Sequence, residues 1–337
     1  MAKLLLVYMS RFMLMICEVM AAQEESNAVA QELHFNNFTI ITGLSSNHVN
    51  EFHVFLENKQ HYQPDNPLIV YNLGLTTTEV SEIQKRCDGC KIRDFHFQKY
   101  PPHVKNLLTF AFKILIINET LLEFQQVLWA DTSIRFTTKN LKPIVDQVKS
   151  SGVLAPSING LLSNSYTHPG MFKYFNVTPD RYNKQISIEG GKLLIINSAR
   201  IQTQFIRPLV RCALDLQCIN PTGAVMWDSI WLQTFYRLIY NVDTYVHRQD
   251  QSAFNIVLGK MFNMSLSKYC AKEGTHIYLY WKGPIVTRHL PEQSSHWKFY
   301  VYFTLLFILI VLLKLKYKSV VKSITHLCIM CSNKCRE

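Results

Sequence analysis

Charged residues are scarce in this sequence, making up 18% of its 337 residues against 48% that are hydrophobic. The formal net charge of +11 is concentrated at the ends, with +5 from residue 314 onward and +1 in the first 21 residues. The long middle contains no basic block. This distribution lacks the clustered positive charge that nucleic-acid-binding domains need, and we expect no nucleic-acid partner.

The sequence also lacks the short motifs that identify common enzyme classes. It has no GxSxG, no HExxH, no P-loop and no GxGxxG, so hydrolase, zinc-protease and dinucleotide chemistry have no sequence anchor. It has no internal repeat and no low-complexity tract. The high apolar content indicates a sizeable core together with a membrane segment.

One uncharged run near the C-terminus predicts a transmembrane helix. Phe299 to Leu313 is apolar except for Thr304 and is followed by Lys314, Lys316 and Lys318. Lysines immediately after an apolar run favour a membrane span over a buried core helix, and they place the following tail in the cytosol. We therefore predict a transmembrane helix over 298–316 and a basic cytosolic tail over 317–337.

The N-terminus and the glycosylation sequons indicate a secretory route. Residues 1–22 combine an early lysine, apolar runs and a small-residue end, which predicts a signal peptide; an uncleaved N-terminal anchor is the alternative. Four N-x-[ST] sites begin at Asn37, Asn118, Asn176 and Asn263. The main domain, residues 35–290, is then expected in the lumen or outside the cell, as part of a single-pass glycoprotein of the Golgi, the ER or the cell surface.

The cysteines of the middle region read as disulfide candidates in an oxidising compartment. Cys212 and Cys218 would close a short loop, and Cys87 and Cys90 form a CxxC pair whose alternative role is redox or metal chemistry. Cys270 makes the number odd, so one thiol is left free or pairs elsewhere.

Between Phe38 and Asp131 the pattern predicts β-α-β-α-β-α-β. β-Branched apolar runs alternate with amphipathic stretches, the last of them a long helix over 103–126 before the strand "VLWAD". Alternation of this kind predicts an α/β fold with a mostly parallel sheet and helices on both faces. Ligands bind beyond the carboxyl ends of such strands, and Asp131 stands at one of these ends.

The rest of the chain predicts further mixed elements. Two strands about a glycine turn are expected in "QISIEGGKLLIINSA", helices over 200–215, 224–240 and 249–263, and a last strand over 275–281.

Five segments together resemble an uncharacterised family of secretory-pathway proteins best known from nematodes. They are "VYNLGLTTTEV", "FAFKILIINETL", "VLWADTSIRF", "RCALDLQCINP" and "RQDQSAFNIVL". That family is distantly similar to GT-A (Rossmann-like) nucleotide-sugar glycosyltransferases of the glycogenin and galactinol-synthase type. The resemblance spans about Phe38 to Tyr280 and implies a GT-A-like domain followed by the C-terminal transmembrane helix.

The resemblance also implies roles for individual residues. "WADT" is similar to the metal-binding Asp-x-Asp, with Asp131 as its last acid and Trp129 where the first acid would be; in the other register Ser133 supplies a hydroxyl. Asp131 and His276 would hold Mn²⁺ or Mg²⁺, which binds the donor diphosphate. Ser133, Asn255 and Lys282 would contact the substrate, and the catalytic pair would be Asp250 and Gln251.

Roles outside a functional site remain open for the same residues. Asp131 could be a turn carboxylate that bonds nearby N–H groups, and Asp250 or Gln251 could cap a helix. An exposed position is the alternative for His276, and His168 is a second histidine expected near the rim.

Two functions follow from these sequence features. The first is a glycosyltransferase-like membrane protein that moves a sugar from a nucleotide-sugar to a glycan or protein acceptor. The second is a catalytically inactive GT-A-like ectodomain that acts in binding or adhesion. The missing acid at Trp129 is the feature that keeps the second function open.

Overall fold

The computed structural model describes residues 38–87, 89–226, 245–271 and 279–281. Its strands are β1 (Thr39–Leu44), β2 (Leu68–Asn72), β3 (Lys91–Asp94), β4 (Gln126–Ala130), β5 (Ile134–Phe136), β6 (Val153–Leu154), β7 (Ser157–Leu162), β8 (Ile186–Ile188), β9 (Lys192–Ile196), β10 (Ala224–Val225), β11 (Tyr245–Val246) and β12 (Leu279–Trp281).

The helices surround these strands. They are α1 (Val49–Tyr62), α2 (Thr77–Arg86), α3 (Ala111–Leu121), α4 (Lys142–Ser151), α5 (Pro169–Tyr174), α6 (Ala199–Ile201), α7 (Arg207–Ala213), α8 (Leu216–Ile219) and α9 (Gln249–Met261), with a π-helical turn Gln202–Ile206 joining α6 to α7. Short 3₁₀ turns cover Ser46–His48, Phe97–Lys99, Pro102–Lys105, Leu107–Thr109, Ser163–Tyr166, Pro179–Tyr182 and Leu266–Lys268.

The main sheet of the described residues has six strands in the order β3-β2-β1-β4-β9-β6. β3, β2, β1 and β4 are mutually parallel, whereas β9 runs antiparallel to both β4 and β6. The predicted β-α-β-α-β-α-β alternation and the mostly parallel α/β sheet are therefore confirmed. Because successive helices return the chain across the sheet, all four parallel strands end at one edge.

Each face of the sheet supports its own apolar core. Side chains alternate along a strand, so Ile40 and Leu128 pack into the core on one face while Ile41 and Trp129 pack into the core on the other. The first core is closed by α1 and α4, and the second by α3, α7 and α9. Both faces are covered, as the continuous apolar character of the strands requires.

Helix α3 is shorter than the helix predicted over 103–126. It begins at Ala111, after two 3₁₀ turns and after Phe110, whose backbone is left-handed with φ 52°. The Asn106 side chain accepts the N–H of Leu108 and closes a local turn in place of a helical one. The late start places Lys113 in the first helical turn, at the carboxyl edge of the sheet.

The prediction of a helix over 224–240 is wrong for its first residues. Ala224–Val225 is strand β10, paired in parallel with β11 after a turn at Pro221 in which Gly223 has φ 89°. A left-handed glycine directly before the expected helix redirects the chain. Residues 227–240 lie outside the described part. The last predicted strand is present as β12, which pairs antiparallel with β5.

The cysteines pair as the sequence suggested. Cys87 is bonded to Cys90 and Cys212 to Cys218, while Cys270 is a buried free thiol. The sequon residues Asn176 and Asn263 are exposed and Asn118 is half-buried on α3. Glycosylation at these sites stays a prediction.

The predicted membrane and targeting segments lie outside the residues that the structure describes. None of the helices within residues 38–87, 89–226, 245–271 and 279–281 has the length and apolar content of a membrane span. Residues 1–22, 298–316 and 317–337, together with Asn37, lie outside those ranges.

A buried histidine ties the segment after β11 to the end of α8 and the start of α5. His247 is fully buried; its Nε2 faces the carbonyl of Ile219 at 3.1 Å, and its Nδ1 accepts the backbone N–H of His168 at 3.2 Å. The ring is therefore held neutral, with its proton on Nε2. Burial lowers the pKa of His247 to about 3, which the Ile219 carbonyl only partly opposes.

We expect His247 to make the chain less stable in acid. Its folded pKa lies below the unfolded value, so only the unfolded state gains a proton as the pH falls below about 6.5, and stability is lost toward pH 3. One such group contributes about 1.4 kcal/mol per pH unit. In denaturant unfolding between pH 6 and 4, His247→Gln should lower the slope of unfolding free energy against pH by about this amount. An unchanged slope would contradict it.

Candidate functional site

Asp131 lies directly beyond the carboxyl end of β4, a strand that is buried along its whole length. Its backbone N–H donates to the Gly191 carbonyl at 2.8 Å, and its own carbonyl accepts the Ile134 N–H at 2.9 Å. These bonds form a tight turn that carries the chain into β5. The carboxylate is thus held at the sheet edge, with its side chain 36% exposed.

Trp129 fixes one oxygen of this carboxylate. Residues two apart on a strand face the same side, and the indole Nε1–H donates to Asp131 Oδ1 at 2.7 Å. The ring itself is buried in the core. At the position where the resemblance expects the first acid of the Asp-x-Asp, the chain therefore presents a hydrogen-bond donor to Asp131.

Lys113 joins Asp131 to the second predicted acid, Asp250. Its Nζ lies 3.1 Å from Asp131 Oδ1 and 2.9 Å from Asp250 Oδ2, and it donates to the Gly190 carbonyl at 3.0 Å. Only 4% of the lysine side chain and 8% of the Asp250 side chain are exposed. Lys113, Asp131 and Asp250 form what we call the ion triad.

Burial and charge act in opposite directions within the ion triad. Burial alone would lower the pKa of Lys113, but the carboxylates of Asp131 and Asp250 outweigh it and the pKa is raised, so the ammonium persists at neutral pH. Burial raises the pKa of Asp250, and the neighbouring Lys113 opposes that rise.

Two glycines allow the acids to approach the backbone of the β8–β9 turn. A Cβ at Gly191 would lie 2.9 Å from Asp131 Oδ2, and one at Gly190 would lie 3.2 Å from Asp250 Oδ2. Any larger residue at Gly191 would push the Asp131 carboxylate away, so this turn sets the spacing of the ion triad.

A cavity of about 500 Å³ opens beside the ion triad. This volume is within the usual range of small-molecule sites. Its walls combine charged, amide and apolar side chains, contributed by Phe110, Lys113, Asp131, Ile134, Ile158, Glu189, Gly190, Gly191, Met226, Arg248, Gln249, Asp250 and Gln251. Asp131, Asp250 and Gln251, all predicted from the sequence, meet on it.

The helix-cap alternative for Asp250 and Gln251 is wrong. Helix α9 begins at Gln249, its N-cap residue is Arg248, and no side chain caps it. Asp250 instead faces Lys113, and the Gln251 amide donates to Ser187 Oγ at 3.1 Å. Gln251 thus contacts β8, Asp250 contacts Lys113, and both residues line the cavity.

Three other predicted residues lie away from the cavity wall. Ser133 is half-buried in the turn after Asp131 and does not line the cavity. Asn255 is buried one helical turn deeper. His168 is 8% exposed, and its Nδ1 accepts the Gly170 N–H at the start of α5. His276 and Lys282 fall outside the described residues.

The buried amide of Asn255 holds α9 against its neighbours. Its Oδ1 accepts from the Ile188 N–H at 3.0 Å and from Ser163 Oγ at 3.2 Å, and its Nδ2 donates to Ser187 Oγ and to the Gln251 carbonyl. With both polar atoms engaged inside the fold, Asn255 is a structural residue where the sequence predicted a substrate contact.

The described residues do not fit the predicted Mn²⁺ or Mg²⁺ site. Such ions need several oxygen ligands, whereas Asp131 Oδ1 already accepts from Trp129 and both acids contact the Lys113 ammonium. The described part of the chain also has no cluster of three His, Cys, Asp or Glu residues able to hold a metal.

Comparison with known proteins gives one family match and several distant structural likenesses. A family model described as "Protein of unknown function (DUF1647)" matches residues 13–118, less than half of the chain, in line with the expected resemblance to an uncharacterised family. No curated protein matches the sequence.

The similar solved structures are glycosyltransferases. Galactosyltransferase LgtC, in complex with donor and acceptor sugar analogues, is 14% identical over 67% of this chain and 70% of its own, with a TM-score of 0.37. Mouse xyloside xylosyltransferase 1 is 13% identical over 70% and 84%, with a TM-score of 0.40. Core-mannan synthase A from Aspergillus fumigatus, in its Mn/GDP form, is 9% identical over 66% and 69%, with a TM-score of 0.37. Scores this low carry no functional argument.

We expect Asn255→Ala to lower the stability of the fold more than Gln251→Ala does. Asn255→Ala leaves buried groups on β8 and at Ser163 without a partner and should lower the free energy of unfolding by about 2–4 kcal/mol. Gln251→Ala removes one such bond and should cost about 1 kcal/mol. Denaturant titration of the two variants beside the unmodified chain measures both values; equal losses would contradict the structural role of Asn255.

Proposed function

We propose that this chain is a glycosyltransferase-like protein whose cavity binds the sugar and phosphate groups of a nucleotide-sugar. One observation carries the proposal: Asp131, Asp250 and Gln251, from two distant segments, converge on a single cavity at the carboxyl edge of the sheet. Open α/β sheets bind ligands at that edge.

The cavity walls suit such a ligand chemically. The partly exposed Asp131 carboxylate and the Gln251 amide can hydrogen-bond sugar hydroxyls, and the apolar wall at Phe110 can cover a ring face. Arg248 lines the cavity with its guanidinium 5.2 Å from the Tyr166 ring. A guanidinium at this wall could hold phosphate oxygens in a two-pronged bond.

Lys113 and Ser187 orient the side chains that would contact the ligand. Lys113 contacts both acids and holds them at a common point, which preorganises the carboxylate that meets the ligand. The Ser187 hydroxyl orients the Gln251 amide. Transfer of the sugar would require an acceptor hydroxyl bound beside this point, on a glycan or a protein.

The cellular setting is part of the proposal and is supported by the sequence alone. The leader over 1–22, the sequons and the apolar run over 298–316 support a single-pass glycoprotein of the secretory pathway with this domain in the lumen.

A second function is favoured by one feature of the site. Because Trp129 and Lys113 engage the acids that a metal-dependent transferase would use, the domain could bind a glycan without transferring sugar. Release of nucleoside diphosphate from a bound nucleotide-sugar distinguishes the two functions, since only a transferase or hydrolase releases it.

We expect nucleotide-sugars to raise the melting temperature of the full-length chain purified in mild detergent. A ligand present at about 100 times its Kd stabilises the folded state by about 2.7 kcal/mol. Asp131→Asn should abolish the shift, because the neutral amide cannot replace the carboxylate that Lys113 and Trp129 orient toward the cavity.

A matched control is Asp146→Asn, which changes an exposed acid on α4 paired only at the surface with Lys142 and Lys149. It should keep the full shift. If nucleotide-sugars and free sugars at millimolar concentration leave the melting temperature of the unmodified chain unchanged, the proposed ligand class is wrong.

A further inference from the structure

Trp129 stands where the resemblance expects an acid that would bind the metal ion, and its side chain is a hydrogen-bond donor. A divalent cation needs oxygen lone pairs, but the Trp129 side chain has only an N–H to offer. That N–H donates to Asp131 Oδ1 at 2.7 Å. The indole is 1% exposed and packed in the core, so the ring has little room to turn away.

The centre of the site already holds a positive charge that cannot leave. Lys113 is covalently part of α3, is almost fully buried, and has its Nζ within 3.1 Å of both Asp131 and Asp250. Its Nζ lies over the rings of Phe110 and Trp129, 5.5 and 5.4 Å from their centres. A cation–π contact of this kind adds to the attraction that holds the ammonium in place.

A divalent ion between the same acids would have to sit beside this ammonium. Two like charges at that separation repel, and the Lys113 side chain, of which only 4% is exposed, is held in place by both acids. Two independent features therefore disfavour a divalent ion here. One is the N–H donor of Trp129 on β4, and the other is the ammonium of Lys113 on α3.

We infer that the Lys113 ammonium takes the place of a divalent cation in this site, and that the chain binds its ligand without a metal ion. The sugar ligand rests on the proposed function; the statement about the cation does not, since it concerns only Lys113, Trp129 and the two acids.

The first experiment uses Mn²⁺ alone as the probe. Free Mn²⁺ is measured by electron paramagnetic resonance while the full-length chain and its Asp131→Asn variant are titrated at up to about 1 mM metal. We expect the two proteins to bind the same amount of Mn²⁺, because any ion they hold lies elsewhere in the chain. One equivalent bound by the unmodified chain and lost in Asp131→Asn overturns the inference.

The second experiment removes the internal cation. Lys113→Met keeps most of the length of the side chain and leaves the buried Asp250 carboxylate and the partly exposed Asp131 carboxylate without a counter-charge. Mn²⁺ should then raise the melting temperature of Lys113→Met, while the unmodified chain and the surface control Lys149→Met show no change. Stabilisation of the unmodified chain that disappears in Asp131→Asn would contradict the inference.

A milder variant covers the case in which Lys113→Met does not fold. Trp129→Phe keeps a smaller aromatic ring in the core and removes the N–H donor to Asp131. Mn²⁺ should raise its melting temperature where it leaves that of the unmodified chain unchanged, because one oxygen of Asp131 is released. No rise would show that the indole does not exclude the metal.

Where a nucleotide-sugar binds, its Kd should differ by less than about twofold between EDTA and Mn²⁺. A tenfold loss in EDTA would contradict the inference and leave the proposed ligand class intact. A chain that binds no sugar ligand but still fails to bind Mn²⁺ through Asp131 would refute the proposed function alone.

Discussion

The ion triad is the interaction on which the site depends. Lys113 is too deeply buried to remain charged alone, and Asp131 and Asp250 supply the compensating charge from two other parts of the chain. Removing one partner of such a buried pair costs about 3–5 kcal/mol, because the remaining charge has no water to solvate it. The same contacts that stabilise the ammonium therefore fix both acids at the cavity, so that the arrangement of the site and the stability of the fold have a common origin.

The topology explains why these three residues can meet. β4 ends at the carboxyl edge of the sheet with Asp131, and α3 and α9 both begin near that edge, so that Lys113 and Asp250 each lie in a first helical turn. The glycine pair Gly190–Gly191 removes the side chains that would keep the acids away from the β8–β9 turn. The site is thus made where helix starts and a strand end converge, and the cavity opens beside them.

The sequence predicted the sheet and part of the site, and the failures have physical causes. Alternating apolar strands and helices gave the parallel order, and the strand-end position of Asp131 placed it at the rim. Lys113 was missed because it stands within an apolar run, "FAFKILII", where local pattern indicates only a buried helix; a single lysine among nonpolar neighbours was the available signal. The late start of α3 depends on the left-handed backbone of Phe110, which its residue type does not favour. Asn255 was assigned to the ligand because local spacing cannot show that Ser163 and β8 would occupy its amide.

The most direct test of the ion triad is a double-mutant cycle between Lys113 and Asp250. The free energies of unfolding of Lys113→Met, Asp250→Asn and the double variant are measured by denaturant titration at neutral pH. If the ammonium and the carboxylate are bound to each other in the folded chain, the double variant should be less destabilised than the sum of the single variants by at least about 2 kcal/mol. Losses that add to within about 0.5 kcal/mol would show that the two residues do not interact, and would contradict the ion triad.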